Sequence, residues 1–90
     1  MIIGLSFDWD PEKAARNLAK HGVTFGEAAS VFADRLSLTV PDPRHSIGEE
    51  RPVLLGLSSR GRLLVVVHTE REDIIRIISA SRHAPRTEDV

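Results

Sequence analysis

The stretch Arg62-Leu63-Leu64-Val65-Val66-Val67-His68-Thr69-Glu70-Arg71-Glu72-Asp73-Ile74-Ile75-Arg76-Ile77-Ile78-Ser79-Ala80 decides the fold of this 90-residue chain. Leu63 to Val67 is continuously apolar, Ile74 to Ala80 nearly so, and four charged residues separate the two runs. Short β-branched runs bounded by a charged turn read as adjacent strands rather than as a helix. The spacing predicts strands over 62–69 and 74–80. Their near-continuous apolarity places both inside a sheet.

Working back along the chain, Arg51 to Ser58 predicts another strand, joined to the first run by the hairpin-like connection Ser59-Arg60-Gly61. Leu36-Ser37-Leu38-Thr39-Val40 alternates with period two and predicts a further strand, followed by a polar loop over 41–50. Ile2 to Phe7 is an apolar opening strand. Between that strand and the sheet lie two helices. Asp10 suits the N-cap of the first and Pro11 its first turn, and Gly22 suits its C-terminal stop. Asp8 is read as belonging to the same helix start. Thr24 and Glu27 form a capping-box pattern for the second helix. Phe25, Ala28, Ala29 and Phe32 then fall on one helical stripe that ends near Asp34.

The order β-α-α-β-β-β-β defines an α+β fold, with both helices on one face of a mostly antiparallel sheet and a short C-terminal helix as an option. Residues 1–90 form one domain. A chain of this size buries only roughly 60–65% of the surface its unfolded form exposes, so a partner would matter to its stability. The opposite sheet face is expected to be open, a platform on which strand arginines gather.

Composition narrows the function classes. The chain is 41% apolar with a net charge of −1, ordinary for a folded protein. It has no cysteine, which removes thiol nucleophiles, disulfides and zinc-thiolate sites. No run approaches a membrane span, and Met1 to Leu5 lacks the basic start of a signal peptide; a cytoplasmic protein without membrane contact is expected. Of the twelve basic residues ten are arginine, the side chain whose planar fork meets two phosphate oxygens at once. No His-x-x-x-His pair, glycine-rich phosphate loop or nucleophile motif is present, so neither metal nor cofactor is expected.

Arg76 interrupts an apolar strand and therefore needs either an ionic partner, with Glu50 and Glu70 as candidates, or an anionic ligand. By alternation Arg76 and Arg82 share a face if no bulge intervenes, and Arg62 and His68 share another. His21 ends a helix beside Lys20, and His83 follows Arg82. A histidine beside arginines suits proton transfer at a phosphodiester.

Several blocks together resemble the BrnT family of toxins: Phe7-Asp8-Trp9-Asp10-Pro11-Glu12-Lys13-Ala14, Asn17, Lys20-His21-Gly22-Val23-Thr24-Phe25, Ala28, Val31-Phe32, Asp34, Glu49-Glu50-Arg51, Gly56, Arg62 to Val67, Thr69-Glu70-Arg71 and Arg76 to Ala80. The chain departs from the pattern where Ser81 precedes Arg82, and in having no tyrosine. The resemblance implies a RelE-like fold and metal-independent RNA cleavage that arrests translation and growth. It also implies a BrnA-like antitoxin, through which alone the complex would contact operator DNA. Residue type and these blocks together nominate Arg51, Arg71, Arg76 and Arg82 for the scissile phosphate. They nominate His21 or His83 for proton transfer, and Lys20 and Arg62 for the RNA backbone. The alternative is a catalytically weak module whose arginine face docks an acidic partner segment.

Overall fold

The computed structural model describes residues 6–41 and 52–83. The elements run β1 (Ser6–Asp8), α1 (Pro11–His21), α2 (Phe25–Ser30) with a 3-10 turn at Val31–Ala33, β2 (Leu38–Pro41), β3 (Pro52–Leu57), β4 (Leu63–Arg71) and β5 (Ile74–Arg82). The expected α+β order is therefore found. Arg51 and the suggested C-terminal helix lie outside the described residues, as does most of the opening strand.

Local chemistry sets both helices. Asp10 Oδ1 accepts from the Glu12 amide at 2.9 Å, Pro11 fills the first turn, and Gly22 ends α1 at φ 71°, a left-handed value natural to glycine. The Gly22 amide returns to the Leu18 carbonyl at 2.9 Å. Thr24 caps α2 through Oγ1, which accepts from the Glu27 amide at 3.0 Å. The reciprocal half of the capping box is absent, because the Glu27 carboxylate turns instead to a stronger cationic partner, Arg62.

The sheet order is β1-β5-β4-β3-β2; β1 runs parallel to β5 and the other pairs are antiparallel. Val23, Phe25, Ala28 and Val31 pack on Leu54, Leu64, Val66, Ile77 and Ala80 to make the core. Trp9 meets Phe25 edge-on, and Phe7 meets Phe32 in the same way. Gly56 lies directly under this layer: a Cβ there would come within 2.8 Å of Ser37 Cβ and 3.0 Å of Val31 Cγ1. Only glycine lets the 3-10 turn approach β3 so closely.

Strand lengths correct the sequence reading in one consequential place. β4 runs on to Arg71 and β5 to Arg82, so the turn shrinks to Glu72-Asp73. Between Val67↔Ser79 and His68↔Ile77 the register slips, leaving Ile78 as an extra residue on β5. The bulge reverses the alternation. Ile75 and Ile77 face the helices before it and Ala80 faces them after it, so Arg82, paired with Leu64, follows Ala80 onto the helix side. Arg76, paired with Thr69, lies on the opposite face. The two arginines expected together are thus on opposite sides of the sheet.

The face away from the helices also differs from the arginine platform expected. Register places Leu38, Val40, Leu57, Leu63 and Ile74 on it, and all five remain exposed. Of the nominated cations on the strands of the described residues, Arg71 and Arg76 project there and Arg82 does not, while His83, just past β5, lies opposite Leu63.

β1 covers β5 only along Ile74–Arg76. Farther along that edge the side chain of Asn17, buried in α1, stands in for a strand. Its Nδ2 donates to the Ala80 carbonyl at 2.8 Å and its Oδ1 accepts from the Ala80 amide at 3.1 Å. Nδ2 also donates to the Val23 carbonyl at 3.0 Å. This clamp fixes the register of α1 along β5.

Candidate functional site

The clamp at Ala80 determines which basic residues meet. Lys20 and His21 lie one turn beyond Asn17, and Arg82 and His83 lie just beyond Ala80, so both pairs reach the same end of the molecule. Two backbone contacts close this end. The Arg62 guanidinium donates to the Gly22 carbonyl at 3.1 Å, and the His83 amide donates to the Leu63 carbonyl at 2.9 Å. Arg62 thereby reaches the C-terminus of α1 beside Lys20 and His21, and Arg82, paired with Leu64, lies on the same helix side of the sheet, while His83 stands opposite Leu63. Favourable placement of cations at a helix C-terminus offsets part of their mutual repulsion.

Within this group Arg62 is already engaged. Its Nε donates to Glu27 Oε2 at 2.9 Å, and one terminal nitrogen bonds Glu27 Oε1. Ser58 Oγ adds a bond to Glu27 Oε2 at 2.6 Å. The Glu27 side chain is only 5% exposed. The hydrogen bonds from Arg62 dominate over the opposing effect of burial and hold its carboxyl, ordinarily near 4.5, at about 2. The same contact raises the already high Arg62 pKa. Arg62 therefore joins α2, the α1–α2 link and the β3–β4 turn. Sequence patterning could not pair Glu27 with Arg62, because a capping role explained Glu27 locally.

Arg71 and Arg76 line a separate cleft of about 620 Å³ with Asp8, Thr69, Glu70 and Ile74, on the face away from the helices. The Arg76 guanidinium pairs with the Asp8 carboxylate across the parallel β1–β5 register. The ionic partner predicted for Arg76 is thus Asp8, not Glu50 or Glu70. Asp8 belongs to β1 rather than to the helix start. From Arg76 to Arg82 the strand advances six residues, roughly 20 Å. With that distance and the change of face, one phosphate cannot touch both. Alternation alone could not reveal this, because Ile78 gives no sequence sign of a bulge.

His68 is 1% exposed, and neither ring nitrogen has a hydrogen-bond partner. Its ring meets Phe32 edge-on at 4.9 Å. Burial lowers its pKa below 6.5, opposed by Glu70, whose Oε2 lies 3.8 Å from Nδ1. It acts as core, in keeping with the shared side of Arg62 and His68. Among the described residues, no three His, Asp or Glu side chains come together as a metal-ion site, and no helix is long and apolar enough to cross a membrane.

The fold is shared with a toxin ribonuclease. The 1.1 Å crystal structure of the Brucella abortus ribonuclease toxin BrnT is similar with a TM-score of 0.70 and 18% identity, over 90% of this chain and 99% of that one. At that identity the likeness concerns the fold alone. The family model described as ribonuclease toxin, BrnT, of type II toxin-antitoxin systems matches residues 9–88, and the chain belongs to this family. It is accordingly an endoribonuclease toxin, and its system includes an antitoxin partner and an RNA substrate. A comparison with curated proteins finds no match.

Proposed function

We propose that RNA is cleaved at the basic end around the C-terminus of α1, without a metal ion, by attack of a ribose 2′-OH on the adjacent phosphate. The observation that carries this reading is the Arg62–Gly22 contact, which brings the start of β4, and with it the helix-side Arg82 paired with Leu64, toward the C-terminus of α1 where Lys20 and His21 lie. In this reading Arg82 stabilises charge developing on the phosphate oxygens, and Lys20 holds the neighbouring backbone. One of His21 and His83 removes the 2′-OH proton and the other protonates the departing 5′-oxygen. Arg62 positions the loop that carries His21 rather than meeting RNA. Arg71 and Arg76, in their own cleft, take no part in the cleavage step.

The test compares RNA cleavage by purified Arg82→Ala and His83→Ala with Arg71→Ala and Arg76→Ala. The first pair is expected to lose on the order of 100-fold or more in rate, and the second only a few-fold. The opposite ranking moves the active site to the Asp8–Arg76 cleft and defeats this assignment.

The antitoxin in this reading is BrnA-like, acts in the cytoplasm, and carries any contact with operator DNA. Exposed Leu38, Val40, Leu57 and Leu63, on the neighbouring strands β2, β3 and β4, support a protein-binding role for that part of the sheet face, since contiguous exposed apolar patches mark interaction surfaces. The same patch favours the second reading, a catalytically weak module that mainly pairs with the antitoxin. That module predicts intact RNA with undiminished antitoxin binding, in EDTA as without it.

A further inference from the structure

A shallow groove of about 380 Å³ runs between α1 and β5, lined by Lys13, Arg16, Lys20 and His21 on the helix and by Ile78 and Ser79 on the strand. Lys13, Arg16 and Lys20 recur at helical spacing along one face, spanning two turns or about 11 Å. The Asn17 clamp holds that face against the strand, and Ile78, the bulged residue, lies beneath it. β1 has already left this edge at Arg76, so within the described residues no strand closes the groove. No ion pair engages Lys13, Arg16 or Lys20 among the described residues.

We propose that this groove is a track for the backbone of single-stranded RNA leading to the basic end, in which Lys13 and Arg16 bind phosphates outside the scissile step. The inference rests on the proposed cleavage site, because Lys20 and His21 belong to both and make the track continuous with it. A single strand is the fitting ligand on two grounds. In-line attack by a 2′-OH requires the scissile nucleotide to leave the stacked A-form geometry. A single row of cations beside one strand edge also offers a path for one backbone, not two. Ile78 and Ser79 present no aromatic ring for stacking, so the track reads charge and not base identity.

The experiment uses the full chain and an unstructured RNA oligonucleotide, comparing wild type with Lys13→Ala/Arg16→Ala and with the conservative Lys13→Arg/Arg16→Lys. Both positions are exposed, and thermal unfolding checks that the folds match. The alanine pair is expected to raise KM at least 10-fold near physiological salt with kcat unchanged. The slope of log K against log salt should fall by about 1.4, roughly 0.7 for each single-strand phosphate that is no longer neutralised. The conservative pair should restore both values. Unchanged KM and salt slope, with wild type still cleaving, overturn the track alone. If wild type fails to cleave, the cleavage site fails, and the salt slope of RNA binding still decides the track. Loss of antitoxin binding with RNA binding intact overturns the track in favour of a protein-docking face.

Discussion

Asn17 offers the sharpest test of how the fold is held. Replacing it with alanine leaves the exposed surface almost unchanged and removes all three bonds of the clamp. The Ala80 amide, the Ala80 carbonyl and the Val23 carbonyl all lose their side-chain partner in a buried site. An orphaned buried backbone group costs about 1–3 kcal/mol, so three give a loss of at least about 3 kcal/mol. A 90-residue domain is stable by roughly 5–13 kcal/mol in total. The variant should therefore melt roughly 12–24 °C lower and shift its urea midpoint down by about 2 M, with the slope unchanged. Asn17→Asp should fare no better, because a carboxylate would face two carbonyl oxygens where an amide now donates. Paired urea titrations followed by circular dichroism make the measurement. A loss below about 1 kcal/mol for Asn17→Ala would show that water or a relaxed strand satisfies β5, and the clamp argument would be wrong.

Glu27 should make stability depend on acid. Its carboxyl is lowered from about 4.5 to about 2 in the folded state, so its contribution is complete above pH 4.5 and lost as pH falls toward 2. At 1.36 kcal/mol for each pKa unit the contribution is on the order of 3 kcal/mol. Glu27→Gln should be weaker than wild type at pH 7 but flatter between pH 4.5 and 2.5; parallel pH profiles count against the Arg62 pairing. His68 should act at milder acidity. The folded state resists protonating it, whereas the unfolded chain takes a proton near pH 6.5, so stability falls as pH drops below that value. His68→Leu removes two unpartnered nitrogens and should stabilise by about 1 kcal/mol or more, with the larger gain at pH 5 than at pH 8 in thermal melts. An equal or smaller gain at pH 5 contradicts it.

The elements were legible where local signals agreed. Asp10, Pro11 and Gly22 bracket α1 as their chemistry requires, and the apolar runs of β4 and β5 form a central pair. The β2 strand begins at Leu38, two residues later than alternation implied, because Asp34 Oδ1 and Oδ2 accept the Leu36 and Leu57 amides and bend the chain there. Those two bonds, from Leu57 first, also hold the Asp34 carboxyl below its usual range. The candidate site was legible as residue types but not as a place. Arg62 and Arg76 find acids 35 and 68 positions away, separations that no window of sequence pairs. The placing of Lys20 and His21 along β5 depends on Asn17 reaching Ala80, a tertiary contact 63 positions long.

The extra residue at Ile78 has an evolutionary and engineering consequence. Deleting Ile78 itself would restore a one-to-one ladder, with Ile77 still opposite His68 and Ser79 still opposite Val67, whereas deleting Ser81 beyond it would carry Arg82 over to the face of Arg76. Loss of a single codon after the bulge could thus transfer a cation from the helix side of the sheet to the opposite face without changing any amino acid type. The two faces of this sheet are therefore not independent inheritances: one nine-residue strand serves both, and its length decides where each cation lies as much as its composition does.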